Sequence, residues 1–267
     1  MDNLRLYRKF VSVYLKSIME FRFSFYMSIF LQIFTYSNIF LIMWILLNKF
    51  QNIQGWNFYE LMFLYTLNLF TYALSGMFIK HPMLDMEQMI QQGTFDSILT
   101  KPINPLFHVI ARQFEYTFAG HMILCIFTFT ISIRHINVAW SLEKVVFFLL
   151  FIIGAVLIHA SFMIITGSMC FFFVKSTIVV ETAIYGLRSF LDYPLTIFNK
   201  FIQVILTFVL PYAFVCYYPA EYFLEKTKPL GFHPMLKYMT PIVGVIMLIL
   251  ALSIWNLGIK HYKGTGS

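Results

Sequence analysis

Charge is what this chain has least of. Only 12% of its 267 residues are Asp, Glu, Lys or Arg, about half the roughly 25% of a soluble globular protein. Sixty per cent are hydrophobic and 19% aromatic, and the mean hydropathy is +0.75. No water-facing surface can be built from that composition, which excludes a soluble globular fold, a disordered chain and a secreted domain. Cysteine is scarce too. Cys125, Cys170 and Cys216 are odd in number and all fall in apolar stretches, so they form no disulfide framework. The chain has no G-x-x-x-x-G-K-[ST] phosphate loop; Gly264-Thr265-Gly266-Ser267 is glycine-rich but lacks the lysine and any following helix. ATP hydrolysis by this chain alone is therefore not expected. His81, His108, His121, His135, His159, His233 and His261 are scattered, with no H-E-x-x-H and no Cys/His cluster at metal-ligand spacing. Neither a metal site nor catalytic residues are expected. The first 22 residues carry six Lys, Arg or Glu side chains and no apolar core, which predicts no cleavable signal.

What is present in their place is long uncharged sequence. Six stretches without Asp, Glu, Lys or Arg reach 18 residues or more: 23–48, 61–79, 116–133, 145–174, 201–220 and 238–259. A bilayer core of ~30 Å takes about 20 residues as a helix. Barrel strands would alternate over ~10 residues, and the unbroken runs Ile39–Leu47 and Val145–Ile153 exclude them. The prediction is an all-α polytopic membrane protein, one domain of six transmembrane helices. The run at 145–174 would be ~45 Å long as a helix, so it must tilt or emerge from the bilayer.

With the N-terminus inside, the inner segments hold 13 Lys and Arg and the outer segments 6, which predicts two cytoplasmic termini. The net charge of +7 then reflects topology; no soluble basic face exists for a nucleic-acid partner. Leu4, Tyr7, Val11, Tyr14 and Ile18 form one helical stripe, with Arg5, Lys9, Ser12, Lys16 and Glu20 opposite. That pattern predicts an amphipathic helix over 1–22 lying on the lipid bilayer, with docking on a soluble partner as the alternative.

The polar content of the predicted spans is patterned. Ser24, Ser28, Gln32 and Thr35 line one face of the first, and Asn68, Thr71 and Ser75 one face of the second. Such stripes either mediate helix packing or line a translocation path. Gly154, Gly167 and Gly244 read as helix-contact points. Ion-coupled carriers generally keep an ionisable residue within a span. By construction these six hold none, and only His121 and His159 could titrate there.

Two cytoplasmic connections are long, 80–115 and 175–200. In the first, Pro82 suits a first helical position, Asp85 and Glu87 suit the early turns, and Gly93 suits a C-terminal cap. The spacing predicts a helix over 82–92 with Met83, Met86 and Ile90 on one side and Asp85, Gln88 and Gln92 on another. Pro194 is expected to end the second connection, and Pro211 and Pro219 to bracket a kinked outer end of the fifth span.

The run Gly93-Thr94-Phe95-Asp96-Ser97-Ile98-Leu99-Thr100-Lys101-Pro102 resembles the cytoplasmic signature of bacterial type-2 ABC exporter permeases. Pro211-Tyr212-Ala213-Phe214 with Tyr218-Pro219-Ala220, and the ending Tyr262-Lys263-Gly264-Thr265-Gly266-Ser267, are similar to later parts of that family. The resemblance implies a multi-pass subunit in the bacterial cytoplasmic membrane, working with cytosolic ATPase subunits that bind ATP and Mg, and with a second permease, a different chain favoured over a second copy. It implies coupling through 80–112, on Met83, Asp85, Glu87, Gln88, Ile90, Gln91, Gly93, Phe95 and Asp96. The cargo it implies is an amphipathic drug, peptide or lipid-like molecule moved outward. The competing readings are an ion-coupled secondary transporter or channel subunit, and, further off, a membrane-embedded enzyme.

Overall fold

The computed structural model describes residues 12, 19–50, 52–136, 138–173, 178, 182, 186–226 and 230–262. The stripe expected between Leu4 and Ile18, and the ending after Tyr262, lie outside them. Among the described residues there are helices and turns and no strand. Five helices are long and apolar enough to cross a membrane: α1 Arg22–Phe50, α2 Phe58–Leu84, α6 Phe118–His135, α7 Leu142–Ser168 and α10 Thr240–His261. Between them lie α3 Met86–Gln91, α4 Asp96–Leu99, α5 Pro105–Ala111, α8 Lys200–Val204 with a π-turn over Ile205–Val209, and α9 Ala213–Phe223.

Local chemistry sets where these helices start. Asn57 accepts from the Glu60 amide at 3.0 Å and Glu60 Oε2 accepts from the Asn57 amide at 2.8 Å, a reciprocal cap that fixes the start of α2. Ser141 caps α7 by accepting from the Lys144 amide at 3.3 Å. Lys226 joins Glu60 Oε2 at 2.6 Å and the Gly55 carbonyl at 2.9 Å, and Lys144 pairs with Glu225 at 2.9 Å. These contacts tie the connections at one end of the bundle together.

The helix α2 is the axis of the bundle. Most of its residues from Leu61 to Gly76 are buried, whereas α1 buries only Phe40, Met43 and Leu47 and leans on the edge. On the far side α7 and α10 form the most extensively packed pair, and they touch through backbone at Gly154 and Gly244. Cys125, Cys170 and Cys216 are buried and unpaired.

The kink expected in the run 201–220 falls at Pro211, but it is sharper than a span kinked at its outer end. Lys200–Val209 and Ala213–Phe223 meet at 105°, and Pro219 lies inside α9, so the run is not one straight helix. Nor does the described part of 175–200 lie at the end of the bundle shared by Leu84 and Ser168. Arg188 donates to Tyr36 Oη at 3.2 Å and Asp192 accepts from Asn68 Nδ2 at 3.3 Å, and both partners lie well inside α1 and α2. Leu191 and Leu195 are buried in the same core. Counting charge-free runs missed this segment because its charges are taken up by polar and aromatic groups of the bundle. Lys200 then donates to the Leu230 carbonyl, between α9 and α10, on the side of the Lys144 and Lys226 contacts.

Candidate functional site

The segment from Pro82 to Gln113 sets a polar, partly exposed side against a buried apolar one. Pro82 sits inside the last turn of α2 rather than opening a new helix, and the chain breaks at Asp85. The expected three-turn helix is therefore one long helix end plus the six-residue α3. Gly93 ends α3 with φ of +67°, the left-handed conformation anticipated for a capping glycine. The chain then reverses, and the Phe95 amide donates to the Met89 carbonyl at 3.2 Å.

That reversal drives Phe95 under the bundle, where it is fully buried. Its ring lies 5.3 Å from Tyr262, 5.4 Å from Phe171 and 6.4 Å from Trp255. Met83, Met86 and Ile98 are buried with it, in a core shared with Ile164, Cys170, Ala251 and Trp255; Ile90 packs on its margin. A close-packed interior transmits displacement rather than absorbing it, so α3 and α4 are mechanically joined to the ends of α7 and α10.

The opposite side is polar. Asp85 Oδ2 accepts from Gln113 Nε2 at 2.7 Å and stands 3.5 Å from His81 Nδ1, while His81 Nε2 faces Glu115 Oε2 at 3.8 Å. Gln91 donates to Glu87 at 3.0 Å. Asp96 opens α4, half-buried, and Gln88 and Gln91 are exposed. A hollow of about 190 Å³ lies between Asp85, Gln88, Gln92, Arg112 and Gln113. Burial, then the neighbouring Lys101 and Arg112 charges, hold the His108 imidazole below its usual range, so it is neutral near pH 7.

Of the expected site residues, Met83, Ile90 and Phe95 come together beneath the bundle, and Asp85, Glu87, Gln88 and Gln91 share the polar side. His81, Gln113, Phe171 and Trp255 belong to the same junction and were not anticipated. The i,i+4 pair His81–Asp85 was a legible signal; for Phe171 and Trp255 nothing in the spacing pointed here.

The two polar stripes separate. Thr71 and Ser75 are buried and bond back to carbonyls of their own helix, as packing residues do. Asn68 instead reaches across to Asp192. On α1, Ser28 and Thr35 bond back to Ser24 and Leu31; Ser24 and Thr35 face outward, and Gln32 lies beside Gly120.

A family model described as "ABC-2 family transporter protein" matches residues 32–266. No curated protein and no solved structure matches the chain.

Proposed function

Because the chain belongs to the ABC-2 family of transporter proteins, we propose that it is the permease of an exporter and couples to its motor through the Pro82–Gln113 junction. As a family member it is a multi-pass membrane component of an ABC transporter whose partner is an ABC ATPase subunit. ATP and Mg²⁺ are bound by that partner. Nucleotide binding closes the motor, the α3–α4 surface moves with it, and the shared core beneath the bundle carries the motion to α7 and α10. The cargo is an amphipathic drug, peptide or lipid-like molecule moved outward. A second permease, a different chain favoured over a second copy, completes the path; the nearly unburied α1 leaves a helix face for it.

The observation that carries this reading is the two-sided junction: an apolar side fused to α7 and α10, and a polar side bearing exposed Gln88 and Gln91. Asp85 is half-buried and tied across the segment to Gln113. Gln88 and Gln91 are exposed, and Gln91 bonds only within its own helix turn to Glu87 among the bonds described, so the two amides make the cleaner test. Co-purification of Gln88→Ala/Gln91→Ala with the ATPase should fall about fivefold, the scale of two ordinary interface truncations. The variant's own melting temperature should not move, because neither side chain fills core. Undiminished complex formation would make the segment a seal under the bundle and move the motor contact elsewhere.

The ion-coupled alternative loses one of its objections. Arg188 and Asp192 are ionisable and inside the bundle, so the spans are not empty of charge after all; family membership is what weighs against it.

Both termini are cytoplasmic in this reading. Taking Arg188 and Lys200 out of the inner thirteen leaves 11, and adding Lys200 to the outer six gives 7. The bias narrows and keeps its sign. A cysteine at exposed Asn52 should react with a membrane-impermeant maleimide in intact cells, over a low background because the three native cysteines are buried. Reaction only after lysis would invert the topology.

A further inference from the structure

Arg188 is a charged side chain inside the bundle. It is 7% exposed, at a depth where an unpaired cation is strongly disfavoured and generally marks function. Its guanidinium lies 4.0 Å from the Tyr72 ring centroid and 5.2 Å from that of Tyr36, contacts of the cation–π type. Tyr36 Oη takes one hydrogen bond. Among the described residues no carboxylate reaches salt-bridge distance of it. Asp192, one turn away, accepts from Asn68 instead.

Several unsatisfied polar atoms of the interior lie on the elements around it; another, Gln113 Oε1, lies at the junction under the bundle. Arg188 Nε, Tyr65 Oη, Asn68 Oδ1, both ring nitrogens of His121 and His159 Nε2 are buried without a partner. The His121 ring lies 4.2 Å from Tyr36, and His159 5.6 Å from Tyr72, so the same aromatic rings connect these atoms to the guanidinium. Buried polar groups are ordinarily satisfied, and a concentration of exceptions marks a place where something else supplies the bonds. Arg188 supplies the positive charge, with Asp192 engaged by Asn68 beside it, and N–H and O–H groups of Arg188, Tyr65 and His121 are among the open positions. That chemistry suits an acceptor of negative charge. A guanidinium also offers the fork geometry that matches carboxylate and phosphate.

We infer that the Arg188 cluster is an intramembrane oxyanion site, recognising the phosphate or carboxylate head of a cargo that carries an apolar tail. The inference rests on the permease reading and deepens it by naming the cargo's head group. A tail is required because the cluster is enclosed by helices with apolar outer faces, a route that a hydrated inorganic ion does not take. Asp192 bonds to Asn68, and no carboxylate of the described residues stands at salt-bridge distance from the guanidinium, so an incoming anion has no ion pair to displace.

The test uses the purified full chain in decyl maltoside and needs no ATPase. Thermal stabilisation is measured against added dodecyl phosphate, dodecyltrimethylammonium and inorganic phosphate. Dodecyl phosphate should stabilise saturably, the ammonium amphiphile should not, and inorganic phosphate should need at least tenfold more. In Arg188→Gln the half-saturating dodecyl phosphate concentration should rise about tenfold or more, the scale of a charge-assisted bond lost. Arg188→Lys, which keeps the charge and loses the fork, should fall between. Should Arg188→Gln fail to fold, the head-group series on the parent and the lysine variant decides. Equal stabilisation by both amphiphiles, equal potency of inorganic phosphate, or an Arg188→Gln curve matching the parent would overturn the site and make Arg188 a structural clasp. Any of these leaves the permease reading intact, whereas failure of the ATPase to co-purify with the parent would overturn that reading without touching the binding result.

Discussion

Replacing Gly244 by valine is expected to cost about 3 kcal/mol or more, the upper range for overpacking a well-filled interior. A Cβ at Gly244 would stand 2.5 Å from the Gly154 carbonyl oxygen and 2.9 Å from its Cα; a Cβ at Gly154 would stand 2.7 Å from the Thr240 carbonyl and 2.8 Å from the Pro241 Cα. All of these are backbone atoms, so no rotamer change relieves the clash, and the helices themselves must separate. Close approach through small residues is how helices associate without a hydrophobic drive between them, and α7 with α10 is the most extensively packed pair. Thr240 is drawn in as well, since its hydroxyl donates to the Phe214 carbonyl at 2.9 Å. Separation would therefore loosen α9 with α10. The check is the melting temperature and the monodisperse yield of Gly244→Val and Gly154→Val beside Gly186→Ala. At Gly186 a Cβ meets only the Thr182 methyl at 4.0 Å, and little change is expected. Normal melting of both valine variants would mean that the crossing is not close-packed.

Glycines as contact points, helix positions and a left-handed cap were all legible in the residues. The uncharged runs 23–48, 61–79, 116–133, 145–174 and 238–259 lie within a few residues of α1, α2, α6, α7 and α10, because a chain surrounded by lipid cannot carry bare charge on its outer faces. The same logic failed at 175–220. Arg188 and Asp192 are admitted to the interior by Tyr36, Tyr72 and Asn68, partners more than a hundred residues away in sequence, and no local pattern announces them. The two helices at 200–223 were legible in part. The run is apolar enough to span and Pro211 marked a kink, but neither composition nor a proline reports a bend of 105°.

The candidate site divides along the same line. Gly93 and the Met83–Met86–Ile90 spacing are local features and were readable. What they pack against is not local: Trp255 and Phe171 arrive from α10 and from the turn after α7. One side of the junction was thus foreseen and the other not, and the unforeseen side connects it to the rest of the molecule.

Phe95→Ala should sever that connection. A fully buried phenylalanine truncated to alanine costs about 3–5 kcal/mol, and here the loss falls on a cluster where ring pairs with Trp255, Phe171 and Tyr262 add of order 1 kcal/mol each. Met83 and Met86 are flexible enough to fill part of the gap, so the expected result is a folded, inserted protein with a loosened junction. Hydrogen exchange resolves it. Amides in the last turns of α10, beneath Trp255 and Tyr262, should lose protection together with α3 and α4, while the middle of α2 should keep it. Gly93→Val reaches the same junction through the backbone. At φ of +67° a β-branched residue is strained by about 1–2 kcal/mol or more, and the reversal that places Phe95 under the bundle would open. Both variants should bind the ATPase less tightly, with Phe95→Ala the more severe, because it removes the contact itself rather than straining the turn that presents it. Unchanged exchange at the end of α10 in Phe95→Ala would show that α3 and α4 move independently of the transmembrane helices, and the route proposed for coupling would have to run through another connection.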